Sequence, residues 1–166
     1  MIKSQPIIAS LLALPMLASY WAGLLFPWPG LTTVGLCSGA LFFGYIILVV
    51  LAYVLRSQYV TQEVISGALV VYLLLGLLWT FLFTLVEHLN PGSFSFANTL
   101  GAENRFSFLY YSYVTLTTLG YGDITPLTQM STALAVLEAI VGQIYLTVLI
   151  ARLVGLHISH NPSSPK

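Results

Sequence analysis

A stretch of seven residues has the side chains and spacing to bind an ion: Thr117-Thr118-Leu119-Gly120-Tyr121-Gly122-Asp123. Gly120 and Gly122 permit backbone angles that residues with a Cβ disfavour. Alternating such angles turns successive carbonyl groups toward one axis, where they can replace the water around an ion. The spacing therefore predicts a cation site built from backbone oxygens. A glycine-rich turn is the alternative interpretation.

These residues match the pattern T-x-G-Y-G-D, and the chain resembles the pore-loop potassium channels. Leu119 departs from the Val or Ile that is usual in the family, but it stays apolar. The resemblance implies K⁺ sites at the carbonyl groups of Thr118, Leu119, Gly120 and Tyr121 and at the Thr118 hydroxyl, in a filter that ends at Gly122. It also implies that the side chains of Leu119 and Tyr121 point away from the ion. No organic cofactor is implied.

The composition predicts a membrane protein. Hydrophobic residues make up 58% of the chain and charged residues 6%, whereas about one quarter of a soluble domain is charged. Mean hydropathy is +0.92, and no charged residue occurs between Lys3 and Arg56. The net charge of zero gives no reason to expect a nucleic-acid partner, and the single cysteine, Cys37, allows no internal disulfide framework. Membrane lipids are the expected surroundings.

Four segments have the length of about 20 residues that a transmembrane helix needs. They cover residues 6–26, 31–55, 64–86 and 131–157. A shorter apolar segment, 106–117, predicts a re-entrant pore helix with Asn104 as its N-cap. The predicted fold is an all-α membrane protein with four transmembrane helices, a pore helix and an extended filter, assembling as a fourfold pore. The first segment also resembles a signal peptide, but it exceeds the usual apolar core of about 7–15 residues.

The basic residues predict the orientation. Cytoplasmic loops carry an excess of Lys and Arg, and one orientation puts four of the five basic residues on that side: Lys3, Arg56, Arg152 and Lys166. Both termini are then cytoplasmic in a multi-pass protein of the plasma (inner) membrane, and only Arg105 is outside. The predicted domains are a two-helix peripheral membrane domain (1–60), a pore domain (61–158) and a flexible tail (159–166). Because the first two spans lack a ladder of arginines, they do not form a voltage sensor.

Support for the filter is expected from the pore helix. The family often braces the carboxylate after the filter with an acid, but Val114 stands at that position here. The resemblance implies that the Tyr110 or Tyr111 hydroxyl donates to Asp123 instead.

Glu138 is unusual because it lies well inside the fourth span, where an unpaired charge is costly. Three interpretations stay open: a carboxyl behind the filter bonded to a pore-helix hydroxyl, a carboxyl that faces the water-filled cavity, and an idle protonated acid. Gly142 aligns with an inner-helix hinge of the family or allows close helix packing. The candidates for the cavity and gate recur below it: Gln143, Leu146, Thr147, Ile150 and Ala151.

One filter in the chain cannot surround an ion, so a homotetramer is predicted. The predicted function is a passive potassium-selective channel, and nothing in the sequence indicates its gating stimulus. The alternatives are a weakly selective monovalent cation channel of the same fold, a potassium-uptake subunit of a transporter, and a non-conducting subunit. No catalytic motif such as His-Glu-x-x-His or Gly-x-Ser-x-Gly occurs, so an enzyme is not expected.

Overall fold

The computed structural model describes residues 5–25, 28–97 and 105–160. Five helices and two short strands occur in these ranges. They are α1 (Gln5–Leu25), α2 (Pro29–Arg56), α3 (Gln62–Leu89), β1 (Phe94–Phe96), α4 (Arg105–Leu116), β2 (Ile124–Pro126) and α5 (Gln129–His160). The predicted N-cap Asn104 and the last six residues of the predicted tail lie outside the described residues.

Three of the helices are long and apolar enough to cross a membrane. They are Gly30–Arg56, Gln62–Leu89 and Gln129–Leu156, each 27 or 28 residues long. These helices coincide with the second, third and fourth predicted spans. The described apolar part of α1 is shorter, Ala9–Gly23, so a membrane crossing by α1 stays a prediction.

Local sequence explains where the long helices begin and end. Pro29 opens α2, a position where its missing N–H costs nothing and its fixed φ suits a helix. Thr61 caps α3, since its side chain accepts a hydrogen bond from the Val64 N–H. Glu63 in the first turn of α3 and Arg56 in the last turn of α2 complement the helix dipoles. Only residues 57–61 link the two helices.

Helix α3 is the central element of the fold. It packs against α2, α4 and α5, while α1 packs against α2. The main aromatic cluster lies where α3, α4 and the strands meet. Its buried members are Trp79, Phe83, Phe94, Phe108, Tyr111 and Ile124. A second buried cluster joins α2, α3 and the end of α4: Ile47, Val71, Leu75 and Leu116.

A short two-stranded antiparallel ribbon accompanies the helices of this mostly helical fold. β1 and β2 pair with the register Phe94↔Pro126, Ser95↔Thr125 and Phe96↔Ile124. The ribbon continues at both ends, because the Ala97 N–H donates to the Asp123 carbonyl and the Leu127 N–H donates to the Ser93 carbonyl, each at 2.8 Å. It therefore ties the connection after α3 to the residues that follow the predicted filter.

At the opposite end of the molecule, α5 is bonded to the link between α2 and α3. Nη2 of Arg152 donates to the carbonyl oxygen of Ser57 at 2.7 Å, and Ser57 is the C-cap of α2. A guanidinium suits this position because the carboxyl end of a helix carries partial negative charge. The end of α2 is thus joined to α5 through a polar contact.

Candidate functional site

The backbone of the predicted filter alternates between left-handed and other angles. φ is +58° at Thr118, +60° at Gly120 and +76° at Gly122. The two glycines adopt this conformation at little cost. Thr118 is β-branched, and a left-handed conformation costs such a residue roughly 1–2 kcal/mol. The sequence motif predicts left-handed angles at the two glycines but not at Thr118. Thr118 nevertheless lies two residues before Gly120, at the same spacing that separates the two glycines.

The amide groups of this segment are fixed to the carboxyl end of α4. The Thr118 N–H donates to the Thr115 carbonyl at 2.9 Å, and the Leu119 and Gly120 N–H groups both donate to the Val114 carbonyl, at 2.9 and 3.3 Å. Within the described part of the chain, no hydrogen bond reaches the carbonyl oxygens of residues 118–122. The segment therefore has its donors occupied and its acceptors free, as a site for a cation requires.

Aromatic side chains stand beside the segment. The rings of Tyr110 and Tyr121 are stacked, with centroids 6.3 Å apart and planes 4° from parallel. Tyr121 is 65% exposed and Leu119 55% exposed in the single chain, so both are available for contacts beyond it. Val114 is buried. Its backbone carbonyl accepts the bonds from residues 119 and 120, and its side chain has no carboxyl group that could contact Asp123.

Asp123 is held by two donors. The Tyr110 hydroxyl donates to Oδ2 at 2.8 Å, and the Ile124 N–H donates to Oδ1 at 3.1 Å. The hydrogen bond to Asp123 raises the pKa of Tyr110 to about 12. Tyr111 lies elsewhere: its ring packs edge-on against Phe83, with centroids 4.9 Å apart. Of the two candidate tyrosines, Tyr110 is the one that contacts the carboxylate.

Glu138 is completely buried between three helices. Its Oε1 lies 2.5 Å from Oγ of Ser112 on α4, and the same Oγ lies 2.8 Å from the carbonyl oxygen of Gly76 on α3. Oε2 has no hydrogen-bond partner among the described residues. The carboxyl thus has the pore-helix hydroxyl that the first interpretation of Glu138 requires, and it is enclosed rather than open to a cavity.

Gly142 lies against the end of α4. A Cβ at this position would collide with the backbone carbonyl oxygen of Leu116. α5 continues as one helix from Gln129 to His160, and the glycine packs closely against α4 in this structure. A methyl group has no room between these two elements.

The remaining candidates line one side of α5 below Gly142. Nε2 of Gln143 donates to Oγ1 of Thr118 at 3.3 Å, a contact that the sequence pattern does not predict. Thr147 is exposed and donates to the Gln143 carbonyl at 2.8 Å. Ile150 and Ala151 are also exposed, and Leu146 is half-buried. These side chains are therefore available to face other copies of the chain or water.

Comparison with protein families decides the class of this site. A family model described as "Ion channel" matches residues 67–157, which is more than half of the chain. The chain belongs to the ion channel family. Neither the curated proteins nor the solved structures give a match to this channel. The matched region contains most of α3, both strands, α4, the 118–122 segment and nearly all of α5, whereas α1 and α2 lie outside it.

Proposed function

We propose that this channel is passive and potassium-selective, and that K⁺ passes along the carbonyl groups of residues 118–122. The observation that carries the proposal is the alternation of left-handed angles at Thr118, Gly120 and Gly122. Together with donors fixed to α4 and free carbonyl groups, it suits an oxygen-lined path that replaces the hydration shell of K⁺. The Thr118 hydroxyl supplies a further oxygen at the inner end.

We propose that four copies surround one axis. One chain supplies a single row of oxygens, and a closed ring needs cyclic symmetry. A groove of about 410 Å³ on the single chain supports this assembly, because it lies beside the proposed filter and its lining is almost entirely apolar. It is lined by Phe106, Leu109, Tyr110, Tyr113, Val114, Thr117 and Leu119.

We propose a topology that agrees with this arrangement and with the distribution of basic residues. α4 is the re-entrant pore helix, α3 the outer helix and α5 the inner helix, and α1 completes four membrane spans. Both termini lie in the cytoplasm, and the membrane is the plasma (inner) membrane. The cavity is lined by Gln143, Leu146 and Thr147, and the inner constriction lies near Ile150 and Ala151. Irregular backbone at membrane depth is acceptable here because it lines the ion path.

The test is a planar bilayer containing the purified channel between opposed K⁺ and Na⁺ gradients. The expected reversal potential lies near the K⁺ equilibrium potential. A reversal near zero would replace the proposal by a weakly selective cation channel, and a reversal near the Na⁺ potential or an absence of current would overturn it.

A pair of glycine variants makes the test specific to the filter. Gly120→Ala places a Cβ on a residue at φ +60°, so it should abolish K⁺ current. Gly44→Ala on α2 meets no atom within 4 Å and should leave the current unchanged. K⁺ current in both variants would contradict the assignment of the filter.

A further inference from the structure

The Ser112 hydroxyl lies between two oxygens, and its single proton does not suffice for both. Its Oγ is 2.8 Å from the Gly76 carbonyl oxygen and 2.5 Å from Oε1 of Glu138. A carbonyl oxygen can only accept, and a serine hydroxyl has one proton to donate. Both contacts are hydrogen bonds at the same time only if Ser112 donates to Gly76 and the Glu138 carboxyl group supplies the proton between Oε1 and Oγ.

We propose that Glu138 is held as a neutral carboxylic acid and donates from Oε1 to Ser112, which in turn donates to Gly76. This chain of two hydrogen bonds joins α5 to α4 and α4 to α3. The Gly76 carbonyl also accepts from the Thr80 hydroxyl at 2.7 Å, so its oxygen is the common end point of both hydroxyl groups. In this arrangement Glu138 is a positioning residue for the pore helix.

The surroundings of Glu138 agree with a neutral acid. The residue has no accessible surface, and Oε2 has no hydrogen-bond partner among the described residues. Between residues 106 and 151 the sequence contains no Lys, Arg or His. An ionised carboxylate needs a partner charge or several donors when it is buried. The carbonyl oxygen of a neutral acid tolerates the lack of a partner far better.

Tyrosines are the other titratable groups packed nearby. Tyr72 on α3 donates to the Leu116 carbonyl at 3.4 Å, and Tyr145 on α5 donates to the Ala68 carbonyl at 2.6 Å. Tyr111 on α4 lies in the aromatic cluster with Phe83 and Phe94. None of these groups carries a positive charge that could pair with an ionised Glu138.

The functional consequence rests on the proposed potassium filter. Ser112 lies in α4 just ahead of Val114 and Thr115, whose carbonyl groups hold the amides of residues 118–120. A shift or rotation of α4 would move both carbonyl groups and the filter with them. The donation from Glu138 therefore fixes the filter through the pore helix, without contact with the ion.

The experiment combines infrared spectroscopy with current recording on the full-length channel. At neutral pH the wild type should show the carbonyl stretch of a protonated, buried carboxylic acid, and this band should disappear in Glu138→Gln. It should persist in Glu63→Gln, which changes an exposed carboxyl that accepts from Tyr53. Loss of the band in the Glu63 variant, or its absence in the wild type, would overturn the proposal.

Rescue by the conservative variant tests the positioning role. The side-chain amide that Glu138→Gln introduces can still donate to Ser112, so this variant should keep K⁺ current and selectivity. Glu138→Leu cannot donate, so Ser112 keeps its bond to Gly76 but loses its link to α5, and K⁺ current should fall about tenfold or more. A silent Glu138→Gln with normal assembly would show that a charge is needed and would overturn the proposal. The infrared result needs no current, so failure of the potassium assignment alone would leave it unchanged.

Discussion

At the scale of single residues, the Tyr110 hydroxyl holds the carboxylate that follows the proposed filter. It donates to Asp123 at 2.8 Å, whereas the apolar side chain of Val114 cannot form a hydrogen bond with this carboxylate. Tyr110→Phe should remove this bond and let the filter rearrange sooner, so current should decay faster during a maintained voltage step. Tyr113→Phe is the matched control on the same helix, because its hydroxyl donates to the Leu73 carbonyl on α3. Equal decay in the two variants would contradict this role.

The same hydroxyl predicts a dependence on external pH. The bond to Asp123 raises the pKa of Tyr110 from 10.0 to about 12. A raised pKa means that the bond contributes fully below pH 10.0 and is lost as pH rises through about 12. Current decay in the wild type should therefore accelerate over that range, whereas Tyr110→Phe should show no such change.

At this scale the sequence predicts features that depend on neighbouring residues, but not features that depend on contacts between distant parts of the chain. The glycines follow from the motif, and the sequence narrows the donor to Asp123 to Tyr110 or Tyr111. The left-handed Thr118 depends on the bonds that the amides of residues 118–120 donate to Val114 and Thr115. Three hydroxyl groups, those of Ser112, Thr115 and Thr117, are equally plausible partners for Glu138 from spacing alone. The rotation of α4 about its axis selects Ser112, and tertiary packing sets that rotation.

At the scale of elements, the long helices are predictable because bilayer thickness fixes their length. The ribbon is not, since strands of three residues, Phe94–Phe96 and Ile124–Pro126, are too short to show a periodic pattern. The sequence also does not show how closely two helices approach each other. Gly142 fits a hinge or a packing contact equally well until the Leu116 carbonyl is seen against it.

Gly142 gives the prediction at this scale. Gly142→Ala should destabilise the channel by about 1–3 kcal/mol, because the added methyl group forces α5 away from α4. Gly155→Ala, in the same helix, meets no atom within 4 Å and should be neutral. The measurement is thermal unfolding of both variants in one detergent. A Gly142 variant with altered gating but unchanged stability would instead favour a hinge.

At the scale of the whole molecule, the groove beside the proposed filter leads to a prediction about assembly. Helices in lipid gain no hydrophobic free energy by associating, so a membrane oligomer depends on close packing. Leu109 lines the groove, and Leu109→Trp should overfill it and prevent a neighbouring copy from seating. Native mass spectrometry should detect tetramers of the wild type and smaller species of this variant.

A tryptophan introduced elsewhere on the surface is the control that distinguishes a blocked groove from general destabilisation by the larger side chain. Leu48 on α2 is 66% exposed and lies outside the region that the ion channel family model matches, so Leu48→Trp should remain tetrameric. Tetramers that survive Leu109→Trp would show that the groove does not receive a second copy. Because the filter of one chain offers a single row of oxygens, the Leu109 variant should also lose K⁺ current in proportion to its loss of tetramer. Current from a variant without tetramers would contradict the fourfold pore.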